Sequence, residues 1–156
     1  MVRFGCLVRE TMGEMTATTV CAVLALAEDR GVQLWVDGGW AADACLGTQT
    51  GPHGDLDVVV EEQDLARFLA ALAAVGYRPR SGVEPSSWRQ VMVDDEGNVI
   101  DIRVIAVGDS GDGEHAPAQG GVGYPWRSLG GTGIISGWTV PCIMRGEWTD
   151  NLVGCC

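Results

Sequence analysis

The sequence predicts an α+β, or mixed α/β, domain: a small mixed β-sheet flanked by helices. Two observations carry this. Val20, Val23, Leu24 and Ala27 recur at helical spacing, whereas residues 56–61 and 99–107 are β-branched runs of strand length. The elements follow in the order helix, strand, helix, strand, helix and then strands, which suits a sheet with helices packed on it. With 156 residues, 46% hydrophobic and 20% charged, the chain is long enough for one domain with a core.

In chain order, residues 1–14 show no period. A helix over 16–30 stops at Gly31. Residues 32–36 read as a short buried strand, Asp37-Gly38-Gly39 as a turn, and 40–46 as a short helix ended by Gly47. Residues 48–54 form a loop punctuated by Gly51-Pro52 and Gly54. A strand over 56–61 precedes an Ala/Leu-rich helix over 65–75, with Asp64 as its N-cap and Gly76 as its stop. Residues 77–79 read as a short strand. Residues 88–93 and 99–107 read as an antiparallel pair around Asp95-Glu96-Gly97-Asn98. A Gly- and acid-rich surface loop covers 108–123. Short β pieces follow at 133–135 and 138–140, and 143–156 has no usable period.

The formal net charge of -11 argues against a nucleic-acid partner, because an acidic body repels a phosphate backbone. No stretch has the roughly 18 apolar residues of a membrane span. The six cysteines form no C-x-x-C pair, and neither His53 nor His115 is spaced with them for zinc. A reducing cytoplasm with free thiols is the expected setting.

The chemistry concentrates around Asp55-Leu56-Asp57. Residues i and i+2 of a strand share a face, so these two carboxylates can converge on one hard cation such as Mg²⁺. Asp57 lies within an apolar register, where an unpaired carboxylate is costly. Gly38-Gly39 before a helix can expose backbone N–H groups to a phosphate, although it is neither a Walker loop nor a dinucleotide fingerprint. Asp101 shares a strand face with Val99 and Arg103. That face is either simply solvent-exposed or, if its strand lies beside Asp57, supplies a general base or a third metal-site acid. His53 is either a plain loop histidine or stands near a triphosphate. Arg89 and Arg103 are candidates for phosphate contact or for surface ion pairs. Asp37 and Asp43 are placed to cap or brace the Gly-Gly turn, and Trp40 to line a pocket.

The run from Leu34 through Val36-Asp37-Gly38-Gly39-Trp40 to Asp43, then Pro52-His53-Gly54-Asp55-Leu56-Asp57, resembles the lincosamide and aminoglycoside nucleotidyltransferases of the DNA polymerase β-like superfamily. The likeness continues through Gly97-Asn98-Val99-Ile100-Asp101, Tyr124-Pro125 and Val140-Pro141-Cys142. It implies a nucleotidyltransferase fold over 15–142, with 1–14 as an N-terminal extension and 143–156 as an atypical tail shorter than the family's usual ending.

The resemblance also implies transfer of a nucleoside monophosphate, AMP first among candidates, from a Mg-nucleoside triphosphate to an antibiotic hydroxyl. Asp55 and Asp57 would hold metal, two Mg²⁺ ions being expected. Gly38, Gly39, Trp40, His53 and Arg89 would contact nucleotide, and Asp101 would take the hydroxyl proton. The expected partners are the drug, the triphosphate and a second copy of the chain in a homodimer. The alternative is a catalytically impaired module of this fold that binds nucleotide or a partner protein.

Overall fold

The computed structural model describes residues 14–109, 112–114 and 124–144. The expectations for residues 1–13 and 145–156, and for most of the loop over 108–123, fall outside these.

Helix α1 (Ala17–Asp29) starts where the Thr16 hydroxyl accepts the Thr19 N–H, a side-chain N-cap. It closes with Gly31 N–H bonded to the Glu28 carbonyl and Val32 N–H to that of Ala27. Because Val32 finishes this turn, strand β1 (Leu34–Asp37) begins two residues later than the sequence predicts. Helix α2 (Gly38–Leu46) follows with no intervening loop, so the expected Gly-Gly turn is itself the first turn of the helix. Strand β2 (Leu56–Glu61) leads into helix α3 (Glu62–Ala74). Asp64 is not the N-cap of that helix. Glu61 holds that position in extended backbone without a side-chain bond. Asp64 is a buried first-turn acid that accepts the Gln33 N–H and pairs with Arg67, and a carboxylate there also complements the helix dipole.

Strands β3 (Arg78–Pro79), β4 (Arg89–Val93), β5 (Val99–Val107), β6 (Gly113–Glu114), β7 (Gly131–Ile135) and β8 (Trp138–Cys142) follow among the described residues. A 3₁₀ turn at Trp126–Gly130 leads into β7. The main sheet runs β3-β4-β5-β2-β1-β8-β7, with β6 paired to the far end of β5. The β2/β5 and β1/β8 pairs are parallel and the others antiparallel. Among the described residues the fold is thus a mixed sheet with three helices, as the element order predicts.

Strand alternation decides which face meets the helices. Leu34, Val36, Leu56, Val58, Val60, Ile100, Ile102 and Val104 form one core with Val20, Val23, Trp40, Phe68 and Leu72 from α1, α2 and α3. The opposite face carries a smaller cluster of Trp35, Val59, Ile105 and Ile143, against which Tyr124 and Leu129 pack. The Trp35 indole N–H donates to the Leu129 carbonyl at 2.7 Å. On this second face, beyond the small cluster, lie Asp37, Asp57 and Asp101. No helix among the described residues is long and apolar enough to cross a membrane.

Candidate active site

Register builds the site. Asp37 on β1 pairs with Asp57 on β2, and Asp57 pairs with Asp101 on β5. Directly paired residues share a face, so three carboxylates stand in one row across three central strands. Asp55 is two residues back from Asp57 on the same face. Ligand oxygens of Asp55, Asp57 and Asp101 all lie within 4.8 Å of one another. Asp101 therefore lies beside Asp57 rather than on a free solvent face, and it is buried.

Like charges at this spacing are costly. Burial, first, and then Asp55, Asp101 and Asp37 push the Asp57 carboxyl up to about 6, with Arg103 opposing. The donor set, three clustered carboxylates, fits a hard divalent cation that takes oxygen ligands.

Gly38 shows how tightly this corner is built. Its φ is +63°, which L side chains disfavour, and a Cβ there would lie 3.1 Å from Asp57 Cγ and closer still to its Oδ2. Asp37 braces the turn, accepting the Gly38 N–H on Oδ1 at 2.8 Å. One of the two N–H groups expected to face a phosphate is therefore already bonded within the protein. A Cβ on Gly39 would run into the imidazole of His53, 2.6 Å from Cε1.

His53 stands behind Gly39. Its Nε2 pairs with Asp43 Oδ2, its ring lies 4.9 Å from that of Trp40, and its carbonyl accepts the Met15 N–H. Thr50 donates its hydroxyl to Asp43 Oδ1 at 2.6 Å. Burial pushes the Asp43 carboxyl up, but the bonds from Thr50 and His53 outweigh it and hold the group below its usual value. Trp40 is buried in the main core, and its indole N–H has no partner among the described residues.

Arg89 reaches the acid row from β4. Its Nε donates to Asp101 Oδ1 at 3.0 Å and its Nη2 to Oδ2 at 2.7 Å. This two-pronged bond to Asp101 is the main reason its pKa is raised. Arg103 Nε lies 3.5 Å from the same Oδ1, and its guanidinium sits 5.6 Å above the Trp88 ring.

Of the sequence-predicted site residues, Asp55, Asp57, Asp101 and Arg89 meet in one cluster, Gly38 touches it, and Gly39, Trp40 and His53 form the layer behind. Sequence reasoning assigned Asp37 only a bracing role. Its membership of the acid row depends on the β1–β2 register, which no local sequence pattern displays.

The model of one family, described as aminoglycoside-2''-adenylyltransferase, matches residues 19–147. The chain belongs to that family. A lincosamide resistance protein of Staphylococcus haemolyticus is 31% identical over 99 residues, which is 64% of this chain and 60% of that protein. A 2''-aminoglycoside nucleotidyltransferase of Escherichia coli is 34% identical over 67 residues, 43% of this chain and 38% of that protein. The matched segments thus span less than two thirds of either relative. Among solved structures, the lincosamide antibiotic adenylyltransferase LnuA, lincomycin-bound, superposes with a TM-score of 0.74 at 26% identity, covering 84% of this chain and 82% of that one. ANT(2'')-Ia in complex with adenylyl-2''-tobramycin gives 0.65 at 26% identity, with coverage of 82% and 68%.

Proposed function

We propose that this protein transfers a nucleoside monophosphate, with AMP as the first candidate, from a nucleoside triphosphate to a hydroxyl of a lincosamide or aminoglycoside antibiotic. The observation that carries the reading is the clustering of Asp55, Asp57 and Asp101 on one sheet face, their ligand oxygens within 4.8 Å of one another, in a chain of this family. The domain we assign to the reaction is 15–142.

In this reading Asp55 and Asp57, with one oxygen of Asp101, hold Mg²⁺. Bound Mg²⁺ would neutralise the triphosphate and polarise its α-phosphate, and we expect two ions. The acceptor oxygen forms a bond to the α-phosphorus, the bond to the bridging oxygen breaks, and pyrophosphate leaves. Asp101 takes the hydroxyl proton, an effect worth about 10²–10⁴-fold. The Gly38-Gly39 corner sits against Asp57 with no side chain in between, so the backbone can approach the nucleotide closely. His53 and Trp40 back that corner, and Arg89 supplies a cation for a phosphate oxygen.

The test is incubation with each nucleoside triphosphate, Mg²⁺ and a panel of lincosamides and aminoglycosides, read as adduct mass and pyrophosphate release. A drug adduct one nucleoside monophosphate heavier, lost in Asp57→Asn, is the expected result. Triphosphate binding without any adduct across the panel would overturn the acceptor class.

A further inference from the structure

Arg89 and Arg103 stand directly opposite each other across the β4–β5 ladder, where like charges repel. Asp101 offsets that repulsion. It sits two residues from Arg103 on the same face, both its oxygens accept from Arg89, and Arg103 Nε is 3.5 Å away. The same carboxylate also offers the third corner of the Asp55–Asp57 cluster. An oxygen committed to a charge-assisted bond with Arg89 donates less to a cation, so the two uses of Asp101 compete.

We propose that Arg89 is a latch on Asp101: it gives the carboxylate up to a divalent cation and passes to the triphosphate, so that cation and triphosphate bind cooperatively through this pair. The proposal rests on the reading of Asp55, Asp57 and Asp101 as a cation site. The two arginines are about equally exposed, 38% and 34%, but the guanidinium of Arg103 is also held over the face of Trp88, so Arg89 is the partner free to leave. Once released, Arg89 faces Arg103 without the full compensation of Asp101, and an anion relieves the repulsion. Arg89 thus acts as a positioning residue for Asp101 before it contacts nucleotide, and Asp101 becomes free to accept a proton only in the loaded site.

The experiment is a double-mutant cycle read with Mn²⁺ alone, by the loss of its free electron-resonance signal, without nucleotide or drug. Arg89→Gln should tighten Mn²⁺ binding roughly fivefold to tenfold in the wild-type background and less than about twofold beside Asp101→Asn. Equal tightening in both backgrounds would mean that Arg89 acts only as a general charge and would overturn the latch, as would no tightening at all. Arg89→Lys keeps the charge but loses the fork, so it should tighten Mn²⁺ by an intermediate factor; if Arg89→Gln does not fold, this variant carries the cycle. In a second arm, Arg89→Gln should weaken ATP binding about tenfold with Mn²⁺ present and within about twofold without it. Equal losses in both conditions overturn the hand-over. If the wild-type protein binds no Mn²⁺, the cation-site reading itself fails, an outcome distinct from a site that binds Mn²⁺ with no coupling to Arg89.

Discussion

Two aspartates stand on either side of the Gly38-Gly39 pair, in opposite surroundings. Asp43, behind Gly39, is buried but accepts from Thr50 and His53, and its carboxyl is held below the usual value. Asp57, against Gly38, is only half-buried, yet three carboxylates outweigh Arg103 around it, and burial with their charge pushes its carboxyl up to about 6. A buried acid supplied with donors is part of the scaffold. An acid left among acids is unsatisfied without a cation, and such groups cluster at functional sites. The two residues lie on consecutive elements, so burial alone does not distinguish them; partners do.

The sharpest way to break this comparison is to remove each charge in turn. Asp57→Asn should reduce drug modification by about 10³-fold or more, a loss of several kcal/mol of charge stabilisation, and abolish metal-dependent triphosphate binding. Its thermal unfolding should be unchanged or slightly higher, because repulsion is relieved. Titration of labelled triphosphate with and without Mg²⁺, beside a melting curve, checks both parts. Retained metal-dependent binding in this variant and in Asp55→Asn would remove the acid pair from the metal site. Asp101→Asn should lower turnover far more than triphosphate affinity, since a base acts in the transition state.

Asp43→Ala should show the converse. Thr50 is exposed and its hydroxyl can turn to water, so the cost falls mainly on half-buried His53, at about 1 kcal/mol. Chemical denaturation should report that loss, and metal binding at the acid row should move much less. Gly38→Ala sharpens the boundary between the two regions. A left-handed φ costs a residue with Cβ about 1–2 kcal/mol, and the new methyl would press on Asp57, so stability and metal binding should fall together. A Gly38→Ala protein that melted as the wild type and bound Mn²⁺ as well would show that the corner is looser than the close packing requires.

How much of this was legible in the sequence follows from the range over which each signal acts. Strand alternation is local, and it put Ile100, Ile102 and Val104 on the core face and Asp101 on the other. The D-x-D pair is also local. The pairing of Asp57 with Asp101 needed the parallel β2–β5 neighbourhood, which the sequence supported only as a condition. The row position of Asp37 needed the antiparallel β1–β2 register, and no short-range pattern encodes it. Asp64 differs from the expected N-cap because a first-turn acid and an N-cap acid look alike in sequence, and only the Gln33 N–H and Arg67 beside it separate them. The Arg89–Asp101 fork joins residues 12 apart across a hairpin. Strand pairing made it accessible, but the choice between phosphate contact and ion pair required side-chain positions.

The smallest expected effect is the pH dependence of the apoprotein, and it separates the two aspartates by sign. The folded-state value of Asp57 is raised to about 6 from 3.8. Its contribution to stability is therefore present below the unfolded value and is lost as pH rises through about 6. Asp43 is lowered, so its contribution is present above its unfolded value and is lost only as pH falls through the lower folded value. Between about pH 5 and about pH 7.5, then, Asp43 adds almost no slope while Asp57 weakens the metal-free fold. Denaturation in the presence of a chelator at those two values should show wild type losing more stability than Asp57→Asn, the difference reporting Asp57 together with the acids coupled to it. Mg²⁺ should stabilise the wild type more at the higher pH, because a carboxylate must be ionised to bind it. Equal slopes in wild type and Asp57→Asn would show that the acid row is already compensated in the metal-free protein, and the contrast with Asp43 would disappear.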